Sequence, residues 1–145
     1  MKSSVTLVPA APSNEALEHF QAIMSFETDC WDTHESLMAG NPDFVLLDVR
    51  SPAMYAASHI PGAINLPHGK IINRKMSTWD EDTLFVVYCA GPHCNGAAKA
   101  AIRLADLNRQ VKLLAGGMTG WADEGFAFAI GTEPSSVLEA EATAA

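Results

Sequence analysis

Leu84-Phe85-Val86-Val87-Tyr88-Cys89-Ala90-Gly91-Pro92-His93-Cys94-Asn95-Gly96-Ala97-Ala98-Lys99-Ala100-Ala101 runs from an apolar stretch through a cysteine and a short glycine-bearing loop into an alanine-rich segment of helical composition. Strand, loop and helix in that order put Cys89 at the carboxyl end of a strand, where open α/β sheets hold their ligands. Backbone N–H groups of the loop and of the first helical turn converge on such a sulfur. The spacing therefore predicts a lowered thiol pKa at Cys89. Gly91 and Gly96 permit tight backbone angles and leave no side chain in the path of a substrate. The plain alternative is a strand-end cysteine behaving as a small apolar core residue.

Phe44-Val45-Leu46-Leu47-Asp48-Val49 is a second continuous apolar run and predicts a parallel strand covered on both faces. Short strands are expected at Ala63 to Leu66 and Val111 to Leu114. A first helix is expected with Ser13 or Asn14 as cap and Ala16, Leu17, Phe20, Ile23 and Met24 at helical spacing. A second takes Asp32 or Thr33 as cap and stops at Gly40-Asn41-Pro42. Pro52 to Ser58 reads as a short helix with proline in its first turn, and His68 to Met76 is weakly helical. The helix after the cysteine loop is expected to face the sheet with Ala97, Ala101, Leu104 and Ala105, and a further short helix covers Met118 to Glu124. Strands alternating with helices predict an α/β, doubly wound sheet of about five mostly parallel strands with helices on both faces. The expected organisation is an N-terminal arm and helix over 1–30, the main domain over 31–130 and a flexible C-terminal tail over 131–145.

With 145 residues and 48% hydrophobic composition the chain suits one core. A formal charge of -8 without a basic cluster argues against nucleic acid and anionic membrane as partners. Cys30, Cys89 and Cys94 are an odd number without disulfide-framework spacing, which fits a reducing compartment and predicts a cytoplasmic protein. The run Val5 to Val8 is far too short for a membrane span. Cys89, His93 and Cys94 lack Cys-x-x-Cys spacing and a fourth ligand, so neither a metal nor a cofactor is expected.

Three separated stretches, Leu47-Asp48-Val49-Arg50-Ser51 with His59-Ile60-Pro61-Gly62-Ala63-Ile64-Asn65, Val87-Tyr88-Cys89 with Ala100-Ala101, and Gly116-Gly117-Met118-Thr119-Gly120-Trp121, together resemble a single-domain rhodanese. The resemblance covers roughly Asp32 to Ile130. It implies a rhodanese-like fold and sulfurtransferase activity: Cys89 takes a sulfane sulfur from a small anionic donor such as thiosulfate, holds it as a persulfide and passes it to a thiol or cyanide, with a protein thiol as a further acceptor. It implies Ala90, Gly91, Pro92, His93, Cys94, Asn95 and Gly96 as the substrate-binding loop and Asp48 and Arg50 as supporting residues. The likeness departs at Met54, where the family usually has an acidic residue, and in the loop, which is two residues longer than the common form and lacks its arginine.

Other readings of the same residues are a non-catalytic binding or redox-sensing module and a phosphatase or arsenate-reductase-like enzyme. A missing arginine counts against the last, because a phosphoryl transition state spreads charge over oxygens that arginine would hold. Cys94, five positions after Cys89, is a candidate resolving thiol for a persulfide or an oxidised Cys89.

Overall fold

The computed structural model describes residues 1–144. Five parallel strands, β1 (Glu27–Thr28), β2 (Val45–Asp48), β3 (Ile64–Asn65), β4 (Leu84–Tyr88) and β5 (Gln110–Leu114), form one sheet in the order β1-β5-β4-β2-β3. β4 is central, with Val45 to Asp48 paired against Phe85 to Tyr88 on one side and Gln110 to Leu113 against Leu84 to Val87 on the other. Seven α-helices connect and cover the strands: α1 (Ser13–Phe26), α2 (Cys30–Met38), α3 (Pro52–Ala57), α4 (Asn73–Met76), α5 (Gly96–Asp106), α6 (Gly117–Asp123) and α7 (Val137–Ala144). No helix of the described residues is long and apolar enough to cross a membrane.

The apolar runs are explained by burial on two faces. Successive strand side chains alternate across the sheet, so Phe85, Val87 and Cys89 enter one core with Leu47, Ile71, Met76, Ala97, Ala100 and Leu104. Val86 and Tyr88 enter the other with Cys30, Leu46, Tyr55, Ile60 and Trp121. α5 buries Gly96, Ala97, Ala100 and Leu104. That stripe is rotated slightly from the expected one, leaving Ala101 half-buried and Ala105 exposed. Small residues at 96, 97 and 100 let the helix lie close to the strand ends.

Three expectations are corrected. α1 starts at Ser13 with Pro12 in the cap position and no side-chain cap, so neither Ser13 nor Asn14 serves that role; its Leu17, Phe20 and Met24 face outward and none of its residues is buried. α2 begins three or four residues earlier than expected because Asp29, not Asp32 or Thr33, is the cap, its carboxylate accepting the Asp32 N–H at 2.8 Å. The segment read as a mobile tail folds back: the Gly131 N–H donates to the Ala56 carbonyl, the Gly62 N–H donates to the Pro134 carbonyl, and α7 buries Val137 and Ala140. Glu141 meets His34 at 3.2 Å. His59, whose ring nitrogens lie 2.9 Å from the Tyr55 carbonyl and 3.2 Å from that of Pro134, helps pin this return.

Candidate active site

Cys89 follows β4 directly, and its backbone is anchored from the third signature. The Met118 N–H donates to the Cys89 carbonyl at 3.2 Å, and the Thr119 N–H and hydroxyl both donate to the Ala90 carbonyl, at 3.0 and 3.1 Å. This contact explains Gly117, whose φ is +52°: a Cβ there would strike the Cys89 carbonyl oxygen. Gly91 is fixed in the same way, since its Cβ would lie 2.6 Å from Thr119 Oγ1. The loop then closes in a turn in which the Cys94 N–H donates to the Gly91 carbonyl at 3.0 Å, and α5 starts at Gly96.

The turn returns Cys94 to Cys89. A Cβ built on Gly96 would sit 2.9 Å from Cys89 Sγ and 3.5 Å from Cys94 Sγ, so the bare glycine is the shared floor of both sulfurs. The Gly96 N–H points to Cys94 Sγ at 3.5 Å. A cavity of about 440 Å³ opens above them, lined by Cys89, Gly91, Pro92, His93, Cys94 and Asn95 from the loop and by Glu27, Leu113, Gly116 and Gly117 from the neighbouring strand ends. His93 and Asn95 are exposed at its rim, whereas Ala90 and Gly96 act through their backbone. Among the described residues no lysine or arginine lines the cavity, and no group of three His, Cys, Asp or Glu side chains is placed to hold a metal ion.

The charge state of the sulfurs differs from expectation. Burial pushes the Cys89 thiol up, Cys94 adds to the rise, and the Ala90 and Gly96 N–H groups only partly oppose it. Cys94 moves down, because the Cys89 thiol and the Gly96 N–H both favour its thiolate. The two titrate as a pair, and the first negative charge rests on the more exposed Cys94. At short reaction times iodoacetamide should therefore modify Cys94 several-fold faster than Cys89, as counted by peptide mass. Its thiolate should persist to lower pH than that of a free cysteine. Faster labelling of Cys89 would contradict the assignment.

Asp48 and Arg50 lie behind the site and do not line it. Asp48 is fully buried and takes Arg50 Nε at 3.0 Å on Oδ1 and Arg50 Nη2 at 2.7 Å on Oδ2. The Tyr88 hydroxyl donates to the same carboxylate at 2.7 Å and accepts the Ile60 N–H. Arg50 Nη2 also donates to the Ser58 carbonyl, which supplies a second acceptor at a place where the sequence offers only Met54. Burial pulls the Arg50 pKa down, but Asp48 more than offsets it and the guanidinium stays charged. The cluster fixes Tyr88, the residue before Cys89. Glu27, Met118 and Thr119 were not among the expected site residues: β1 is too short to show a period, and the last two act through positions that only the fold brings to the loop.

The profile of the Rhodanese-like domain family matches residues 32–124. An HTH-type transcriptional regulator of Mycobacterium tuberculosis is 41% identical over 80 residues, 54% of this chain and 34% of that protein. A tRNA sulfurtransferase of Thermoplasma acidophilum is 38% identical over 77 residues, 50% of this chain and 15% of that protein. The chain thus spans about a third or less of the length of these two relatives. A sulfurtransferase of Allochromatium vinosum is 33% identical over 88 residues, 61% of this chain and 80% of that protein. The crystal structure of a Bacillus halodurans protein superimposes with a TM-score of 0.79 at 36% identity, covering 83% of this chain and 88% of that one. With the family match over residues 32–124 and the all-parallel five-stranded sheet in agreement, the chain belongs to the rhodanese-like domain family.

Proposed function

We propose that the protein is a sulfurtransferase that carries a sulfane sulfur on Cys89. The observation that carries this reading is a cysteine at the end of the central strand, facing an open cavity, with the Ala90 and Gly96 N–H groups favouring its thiolate. In the first half-reaction Cys89 gives its proton to water and attacks the outer sulfur of the donor. The donor's S–S bond breaks and its electron pair leaves with the remainder, as sulfite when the donor is thiosulfate. The terminal sulfur is then taken by cyanide, giving thiocyanate, or by a thiolate, giving a new persulfide, and the Cys89 thiolate is regenerated. The test is mass analysis of the reduced protein after exposure to donor: a peptide containing Cys89 gains one sulfur atom. No gain with thiosulfate, mercaptopyruvate or a small persulfide would reject the reading.

The cavity also bears on the donor. Thiosulfate is a dianion, yet among the described residues the cavity is lined by no lysine or arginine and by one carboxylate, that of the half-buried Glu27. Such a site favours a donor with an uncharged body, such as the persulfide of a small thiol, and disfavours phosphoryl substrates. Removing the carboxylate by Glu27→Gln should raise kcat/KM for thiosulfate about two- to five-fold, equivalent to roughly 0.4–1 kcal/mol for a partly screened charge. The gain should shrink with salt and be smaller for a persulfide with an uncharged body. An equal response from both donors would remove the electrostatic argument.

A further inference from the structure

Sulfur transfer through Cys89 leaves one part of the loop unused. Cys94 lines the same cavity as Cys89 and sits against the same face of Gly96, held there by the Gly91 to Cys94 turn. A thiol placed that close to a persulfide has two sulfurs to attack, and only the inner one is fixed by the protein. We infer that Cys94 resolves the Cys89 persulfide, releasing its outer sulfur as hydrosulfide and leaving a Cys89–Cys94 disulfide. This step rests on the sulfur-carrying role of Cys89 proposed above and adds a second activity to it, the reduction of sulfane sulfur to sulfide.

The chemistry balances without an outside oxidant. The Cys94 thiolate attacks Cys89 Sγ, the Sγ to outer-sulfur bond breaks, and its electron pair departs with the outer sulfur as HS⁻. The two cysteines are oxidised by two electrons in total, and the sulfane sulfur is reduced by the same two. Opening of the disulfide requires a dithiol, which is oxidised in turn and returns both cysteines to thiols. Cys94 is the better attacking group, because the Gly96 N–H and the neighbouring thiol hold it as the readier thiolate of the two. The disulfide spans only the loop. Sγ–Sγ bonding therefore rearranges residues 90 to 95, where Pro92, His93 and Asn95 are exposed, and leaves the paired strand β4 in place.

A persulfide on Cys89 then has two fates in competition. An acceptor that reaches the cavity first receives the sulfur, and in its absence Cys94 discharges it. The wild-type chain and Cys94→Ala, both reduced and freed of reductant, are exposed to a small persulfide or thiosulfate, after which sulfide and intact mass are measured. Expected for the wild type is about one equivalent of sulfide per chain, a mass lower by two hydrogen atoms and a peptide linking Cys89 to Cys94. Expected for Cys94→Ala is loss of sulfide release and a stable gain of one sulfur on Cys89. A wild type that keeps the added sulfur on Cys89, or moves it to Cys94, without a linked peptide overturns the resolving role while preserving sulfur transfer. Failure of both proteins to take up sulfur or release sulfide overturns the transfer reading and this one with it. Thermal melting of Cys94→Ala checks that the variant is folded.

Discussion

Cys89→Ser is expected to bring thiocyanate formation from any sulfur donor down to background, a loss of roughly 10³-fold or more, as for removal of a covalent nucleophile. The reason is chemical rather than steric. Serine fits the space of a side chain that is 8% exposed and leaves the cavity lining intact. Its hydroxyl does not ionise near neutral pH, even beside the Ala90 and Gly96 N–H groups, and oxygen does not hold a transferable sulfane sulfur. Cyanolysis after donor treatment reads the effect, and an unchanged melting temperature separates it from misfolding. Thiocyanate at the wild-type rate would remove Cys89 from the mechanism and assign sulfur transfer to another group.

Asp48→Ala should produce the largest stability change, a loss of about 3–5 kcal/mol, because it breaks a buried ion pair by removing one partner. Arg50, with only 9% of its side chain exposed, would keep its charge and retain only the Ser58 carbonyl as acceptor. The Tyr88 hydroxyl would lose its acceptor in a fully buried position, which adds an unsatisfied group to an uncompensated charge. At about 2–4 °C per kcal/mol for a chain of this size the melting temperature should fall by roughly 6–20 °C. Asp48→Asn, which keeps the shape and one acceptor oxygen, should lose less. Urea unfolding with an unchanged m-value is the measurement, and a loss below about 1 kcal/mol would show that the pair adds little. Residual activity of Asp48→Ala at a temperature where it remains folded reports the positioning of Cys89, since Asp48 does not line the cavity.

Legibility in the sequence followed the length scale of the forces involved. The run at Leu84 to Tyr88 coincides with β4, because five consecutive apolar residues flanked by polar Thr83 and a loop have few other uses in an α/β chain. The doubly wound sheet, the loop as a unit and the approach of Cys94 to Cys89 were likewise readable from local pattern and motif order. The two-residue β1 has no period to detect, and it brings Glu27 to the cavity only through its register with Leu113. α7 is rich in alanine and glutamate and reads as a solvated tail, yet its Glu141 meets His34, and the segment leading into it is held at Ala56 and Gly62, all distant in sequence. The protonation of the thiols escaped for a related reason. Converging amides are visible in a loop motif, but the burial that outweighs them at Cys89 is a property of the assembled core.

The place of β4 in the middle of the sheet has a consequence for how the molecule breathes. A strand bridged on both sides opens only when much of the core opens, so its amide protons should be among the slowest to exchange with solvent. β1, with one neighbour and two residues, lies at the opposite extreme beside a helix that buries nothing. Fraying at that margin changes the rim of the cavity while the sulfur-bearing end of β4 stays where it is. Access and alignment are therefore separable in this fold, the first governed by a loose border and the second by its most protected strand.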